Sequence, residues 1–128
     1  MNKVLENLNY AETHEWADFT SDTTARIGIS DFAQHELGDL VFINLPEVGD
    51  SVTAGDAFGD VESVKAVSDI ISPVTGVISA VNQEILDNPE NINNDPYGSW
   101  FIEVEDITEK SALMSASEYE DFCEKEGH

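Results

Sequence analysis

Gly49-Asp50, Gly55-Asp56 and Pro73-Val74-Thr75-Gly76 cut the middle of this chain into short pieces. No long amphipathic helix fits between such turn signals, whereas strands of a few residues do. Ser51–Val52, Ala57–Glu62, Val67–Ser72 and Val77–Val81 therefore read as strands. Upstream, Trp16–Phe19 alternates, Ser21-Asp22-Thr23 makes a turn, and Thr24–Ile29 puts Ala25, Ile27 and Ile29 on one face. Leu40–Leu45 is a further strand, stopped by Pro46, and Trp100–Val104 is the last. The pattern predicts one mainly β domain over residues 1–128, a small sandwich or barrel.

Helical signals are few. Asp31–Gly38 predicts a short helix with Asp31 as its cap, Gln34 three residues on and Gly38 as a left-handed stop. Pro89 can start one helical turn inside the polar stretch 82–98, and Asp95-Pro96-Tyr97-Gly98 reads as a turn. The segment from about 108 to 126 is expected to be helical. There Ser117 and Glu120 form a capping box, and Tyr119, Phe122 and Cys123 make an apolar stripe that closes one end of the core.

Charge narrows the partners. Five Lys and Arg face twenty-seven Asp and Glu, a formal charge of −22. Such a surface repels nucleic-acid backbones and anionic membranes, and favours a monomer that meets partners with basic faces. The single cysteine, Cys123, cannot form an intrachain disulfide, which fits a reducing compartment. The start, Met1-Asn2-Lys3-Val4-Leu5-Glu6-Asn7, carries no signal-peptide core, and no run is apolar enough to span a bilayer. A cytoplasmic protein is expected. His14 is not grouped with His35 or His128 at ligand spacing, so no metal site is expected.

Between Arg26 and Lys110 the one basic residue is Lys65, among seventeen acids. It lies at the tip of a hairpin spanning about 57–72, with small Ser63, Ala66 and Ser68 around it. An exposed amine on a rigid tip suits recognition and acylation by an enzyme. Taken alone, the position also fits an ordinary surface lysine.

The string Glu-Ser-Val-Lys-Ala-Val-Ser-Asp at 62–69 closely resembles the lipoylation site of glycine-cleavage H proteins. Other blocks resemble the same family, in order along nearly the whole chain. They are Tyr10 with Thr13-His14-Glu15-Trp16, Gly28-Ile29 with Phe32-Ala33-Gln34, and Leu37 to Phe42. Leu45 to Gly49, Ser72 to Gly76, Val81-Asn82, Asn93 to Gly98, and Tyr119 with Phe122 complete them. The segment from Asp95 to Phe101 is shorter than the usual family form, so the last strand is expected to start differently.

The resemblance implies a hybrid β-barrel like that of lipoyl and biotinyl carriers, with lipoate amide-linked to Lys65. It implies a carrier rather than an enzyme, in a bacterial cytoplasm. A pyridoxal-phosphate glycine decarboxylase would load an aminomethyl group, a folate-dependent aminomethyltransferase would remove it, and a dihydrolipoyl dehydrogenase would reoxidise the arm. A lipoate ligase or octanoyltransferase would install it. The loaded amine is cationic, so acids in a cleft would hold it; one contact at about 4 Å is worth roughly 1 kcal/mol in water and about 4 at a protein surface. Glu15 and Asp69, with Thr13 as hydroxyl partner, are the candidates. A relay that donates lipoyl groups to other enzymes needs the same hairpin and stays open. Val64 and Ala66 replace the methionines that flank a biotinyl lysine, and the terminal blocks differ from 2-oxoacid dehydrogenase lipoyl domains.

Overall fold

The computed structural model describes residues 4–126, so Met1 to Lys3 of the N-terminal reading and His128 lie outside it. Two antiparallel sheets carry the described residues. The first runs in the order β1 (Asn9–Tyr10), β2 (Glu15–Ser21), β3 (Thr24–Ile29), β9 (Ile102–Lys110), β8 (Val74–Val81) and β5 (Ser51–Val52). The second has three strands, β4 (Leu40–Asn44), β6 (Ala57–Ser63) and β7 (Val67–Ile71). Four helices join them: α1 (Asp31–Leu37), α2 (Gln83–Asp87), α3 (Glu90–Asn94) and α4 (Ala116–Glu126).

The expected β architecture with short helices and a C-terminal helix is present. Ile27, Ile29, Ile43, Val61, Ile70, Ile78, Ile102 and Val104 come from both sheets into one buried cluster. Ile85 of α2 and Ile92 of α3 join it. A second cluster contains Leu8, Tyr10, Trp16, Phe32, Tyr119 and Cys123, which places Cys123 as a packing residue. Strand β2 serves both clusters, which explains why Glu15, Trp16 and Ala17 are buried in succession.

Several boundaries differ from the sequence reading, each for a local reason. The cap of α1 is Ser30, whose extended backbone lets its hydroxyl accept the Ala33 N–H at 3.2 Å. Asp31 instead accepts from the Gln34 side chain at 2.8 Å. Val74 to Gly76 is strand rather than turn, because Val74 pairs with Lys110 and Val52 pairs with Gly76. The last strand starts at Ile102, not Trp100, and continues to Lys110. That pairing takes residues 108–110 out of the helix, which begins at Ala116. Its capping box is Ser115 with Glu118, two residues earlier than expected. Helix α2, capped by Asn82 at the Glu84 N–H, was hidden in a stretch that reads as polar loop.

Gly28 shows how tightly the second cluster is built. It pairs directly with Trp16 across the strands, and a Cβ there would lie 2.6 Å from the indole. The indole is held in place by its N–H, which donates to the Pro96 carbonyl at 3.2 Å. Gly28→Ala is therefore expected to cost about 1–3 kcal/mol, the usual range for overpacking. Urea denaturation of the two proteins measures it, and equal midpoints would contradict the packing described.

Candidate functional site

Strands β6 and β7 pair through Glu62 and Val67, leaving Val64, Lys65 and Ala66 as the tip of a hairpin. Ser63 organises that tip. Its hydroxyl oxygen accepts from the Lys65 and Ala66 N–H groups, both at 3.1 Å, and the hydroxyl donates to the Ala66 carbonyl at 3.2 Å. Such hydroxyl-to-backbone bonds fix a tight turn. The Val64 N–H donates to the Asp39 carbonyl at 3.0 Å, tying the tip to the segment after α1. That segment is held in turn by Asn93, which bonds the Leu40 N–H, the Gly38 carbonyl and the Gln34 side chain.

Lys65 is exposed and lies across the C-terminal end of α1. Its ammonium donates to the Glu36 carbonyl at a long 3.4 Å. A cation suits this end of a helix, where the carbonyls lack partners. Gly38, at φ 82, leaves room for the stem: a Cβ there would meet Lys65 Cε at 3.2 Å. Two other cations are engaged with side chains. Arg26 pairs with Glu103 at 3.3 Å, and Lys110 sits over the Phe19 ring.

Beside this lysine opens a pocket of about 190 Å³. Ile29, Phe32, Ala33, Leu37 and Ile70 give it an apolar wall, and Thr13, His14, Glu15, Glu36, Ser68 and Asp69 supply polar atoms. Thr13, Glu15 and Asp69 are thus brought round one cavity. Lys65 stands outside its wall, in contact with the Glu36 carbonyl.

Glu15 is buried in that wall, with 2 % of its surface exposed. The Thr13 hydroxyl donates to its Oε1, and the Ile71 N–H donates to its Oε2 at 3.1 Å. Burial dominates these bonds and pushes the carboxyl up to about 7. The preceding residue, His14, has φ 79, an uncommon conformation for a residue with a side chain. It is braced from α4: His14 Nδ1 lies 2.7 Å from the Tyr119 hydroxyl, which lies 2.6 Å from Ser30 Oγ. The imidazole also stacks on Phe32. Among the described residues no group of His, Cys, Asp or Glu is arranged to hold a metal ion. No helix there is long and apolar enough to cross a membrane.

Ser63, Asn93 and Tyr119 were not singled out as site residues by sequence. Ser63 has a readable signal, a hydroxyl residue at a turn start. Asn93 and Tyr119 act across 53 and 105 residues of chain, and nothing local announces that.

The Glu15 shift fixes a pH dependence. Its carboxyl value is higher folded than unfolded, so the folded chain holds an extra proton between about 4.5 and about 7. Compared with Glu15→Gln, the wild type should gain stability as pH falls through that window, by about 3 kcal/mol in all. The difference should be flat below it. His14, Glu36 and Asp69 line the same pocket, so each unfolding curve is read as a difference from the variant. A difference that does not change with pH would contradict the burial of a titrating carboxyl.

Known proteins resemble this chain over nearly its whole length. The model of the family described as glycine cleavage H-protein matches residues 8–126. The glycine cleavage system H protein of Lachnoclostridium phytofermentans is 57% identical, covering 97% of this chain and 98% of the relative. That of Thermoanaerobacter sp. is 50% identical, covering 97% and 99%. The crystal structure of the Mycobacterium marinum glycine cleavage system H protein superposes with a TM-score of 0.88 at 41% identity, covering 98% of this chain and 100% of that one. The chain belongs to the glycine cleavage H-protein family.

Proposed function

We propose that Lys65 is the attachment point through which this H protein acts as the lipoyl-carrying shuttle of the glycine cleavage system. The observation that carries the reading is an exposed amine on a pinned turn, next to a pocket with an apolar wall and three acids, Glu15, Glu36 and Asp69. An amide at Nζ would remove the charge and free the long contact with the Glu36 carbonyl. When attached, the lipoyl group supplies a dithiolane sulfur able to carry an aminomethyl group between active sites.

The residues present fit such a group. Ile29, Phe32, Ala33, Leu37 and Ile70 would take an apolar ring. Asp69 and ionised Glu15 would face the cationic end of the cargo, and Thr13 holds the Glu15 carboxyl in orientation. A cation placed there would favour ionised Glu15 and draw its titration downward. The apolar wall would exclude water and protect the cargo from hydrolysis. The catalytic steps fall to the partners: a pyridoxal-phosphate glycine decarboxylase, a folate-dependent aminomethyltransferase and a dihydrolipoyl dehydrogenase. A lipoate ligase or octanoyltransferase would modify Lys65.

Intact mass spectrometry of the chain, made in cells that have this machinery and ample lipoate, tests the reading. The expected result is a mass gain of one lipoyl group at Lys65, absent in Lys65→Arg, with both proteins equally stable because the side chain is exposed. Bare Lys65 under those conditions would overturn it.

A further inference from the structure

Behind the pocket, where α4 meets β1, lies a hydroxyl that the carrier reading leaves without a task. Tyr119 is fully buried and stacks on Tyr10, with ring centroids 4.4 Å apart and planes 6° from parallel. Burial and stacking account for its ring, and a phenylalanine would supply both. They do not account for the place of its oxygen. That oxygen lies 2.7 Å from His14 Nδ1 and 2.6 Å from Ser30 Oγ. The two partners belong to different segments of the pocket wall. His14 lines the pocket and precedes Glu15, and its ring stacks on Phe32 at 4.6 Å. Ser30 caps α1 by accepting the Ala33 N–H, and α1 supplies Phe32, Ala33, Glu36 and Leu37 to the wall. Tyr119 itself is not in the wall. The backbones of the two segments meet without it, since the Ser30 N–H donates to the His14 carbonyl at 2.9 Å. The phenol adds what that backbone bond does not: it fixes how the imidazole is turned against Phe32.

We propose that Tyr119 is a positioning residue for the pocket: its hydroxyl, carried on the C-terminal helix, locks His14 to α1 and so keeps water from Glu15 and from cargo held beside it; the claim on cargo rests on the lipoyl reading above. An imidazole released at Nδ1 would turn off Phe32 and loosen the wall next to Glu15. Burial is what lifts the Glu15 carboxyl, so its titration reports how well the wall is closed. Burial also pushes the Tyr119 hydroxyl up, so it keeps its proton, and its place in the chain of bonds, at any working pH. Hydrolysis of loaded cargo consumes one water and returns a thiol, formaldehyde and ammonia, so its rate reads the same access.

Carbon-13 NMR of the Glu15 carboxyl, on the full chain without lipoate, tests the positioning itself. Tyr119→Phe keeps the ring and removes the oxygen. Its Glu15 midpoint should fall from about 7 toward the ordinary carboxylate range, by about half a unit or more, as water enters. The His14 imidazole nitrogen-15 signals should move with it. Tyr10→Phe is the control: it lies in the same stack, but its hydroxyl serves Leu5, 2.8 Å from the N–H and 3.0 Å from the carbonyl. It should move neither readout. His14, Glu36 and Asp69 face the same pocket in both variants, and Lys65 stands outside the wall, so the comparison is between proteins of equal charge. Ser30→Ala cuts the same chain of bonds at its other end and should lower the midpoint too, which decides the matter if Tyr119→Phe does not fold. On lipoylated protein loaded by glycine decarboxylase with carbon-13 glycine, Tyr119→Phe should release formaldehyde about three to ten times faster, the scale of one hydrogen bond. Tyr10→Phe should release it at the wild-type rate. A Glu15 midpoint unmoved in the folded variants would overturn the proposal. So would an equal fall in Tyr10→Phe, or unchanged release from loaded Tyr119→Phe. A wild-type chain that takes no lipoyl group would instead sink the lipoyl reading, and the carboxyl titration would still decide whether Tyr119 positions Glu15.

Discussion

The carboxyl of Glu15 leaves the six-stranded sheet at the start of β2 and accepts a hydrogen bond from the Ile71 N–H, at the end of β7 in the other sheet. It sits in the seam where the hairpin strand meets the N-terminal strand. Burying a carboxyl is costly, and the chain meets part of that cost with the Thr13 hydroxyl and the Ile71 amide. The remainder shows as a carboxyl that titrates near 7. A hydrophobic residue of similar size would close the seam without that penalty. A pocket that receives a positive charge, as proposed above, would give the acid a use that offsets this cost.

Around this carboxyl the same few contacts set both rigidity and access. His14 is held in its left-handed conformation by bonds through Tyr119 to Ser30, and Ser30 also caps α1. Helix α1 lends the pocket Phe32, Ala33 and Leu37, and its Glu36 carbonyl meets Lys65. Asn93 fixes the turn after α1, and that turn accepts the Val64 N–H at the hairpin tip. The lysine is thus exposed while its backbone is held by side-chain and backbone bonds. A carrier needs that combination, because modifying enzymes select by geometry and the arm must still be free to move.

Much of this was legible in the sequence where the physics is local. Thr24–Ile29 puts Ala25, Ile27 and Ile29 on one buried face as its pattern implies, and it is strand β3, although Gly28 on the other face is buried too. Gly38 follows the last helical residue with a positive φ, as its place in the pattern implies. Thr13, Glu15 and Asp69 were named from family resemblance and do line one pocket, although nothing in their own spacing placed them together. What stayed hidden depends on partners distant in the chain. Val74 to Gly76 carries turn residues, yet pairing with neighbouring strands draws it into β8. Gln83 to Asp87 looks like polar loop because Ile85 is its one buried residue. The bulge at Val41 exists only against the register of β6, so sequence alone shows an unbroken apolar strand.

The most direct test is a titration of the Glu15 side-chain carboxyl by carbon-13 NMR, on the lipoylated protein before and after loading with the aminomethyl group. Before loading, its midpoint should lie near pH 7, as burial dictates. After loading it should move well below that, because a cation beside the carboxylate favours the ionised form. A midpoint unmoved by loading, or one already in the ordinary carboxylate range, would contradict the view that this buried acid is where the cargo's charge is held.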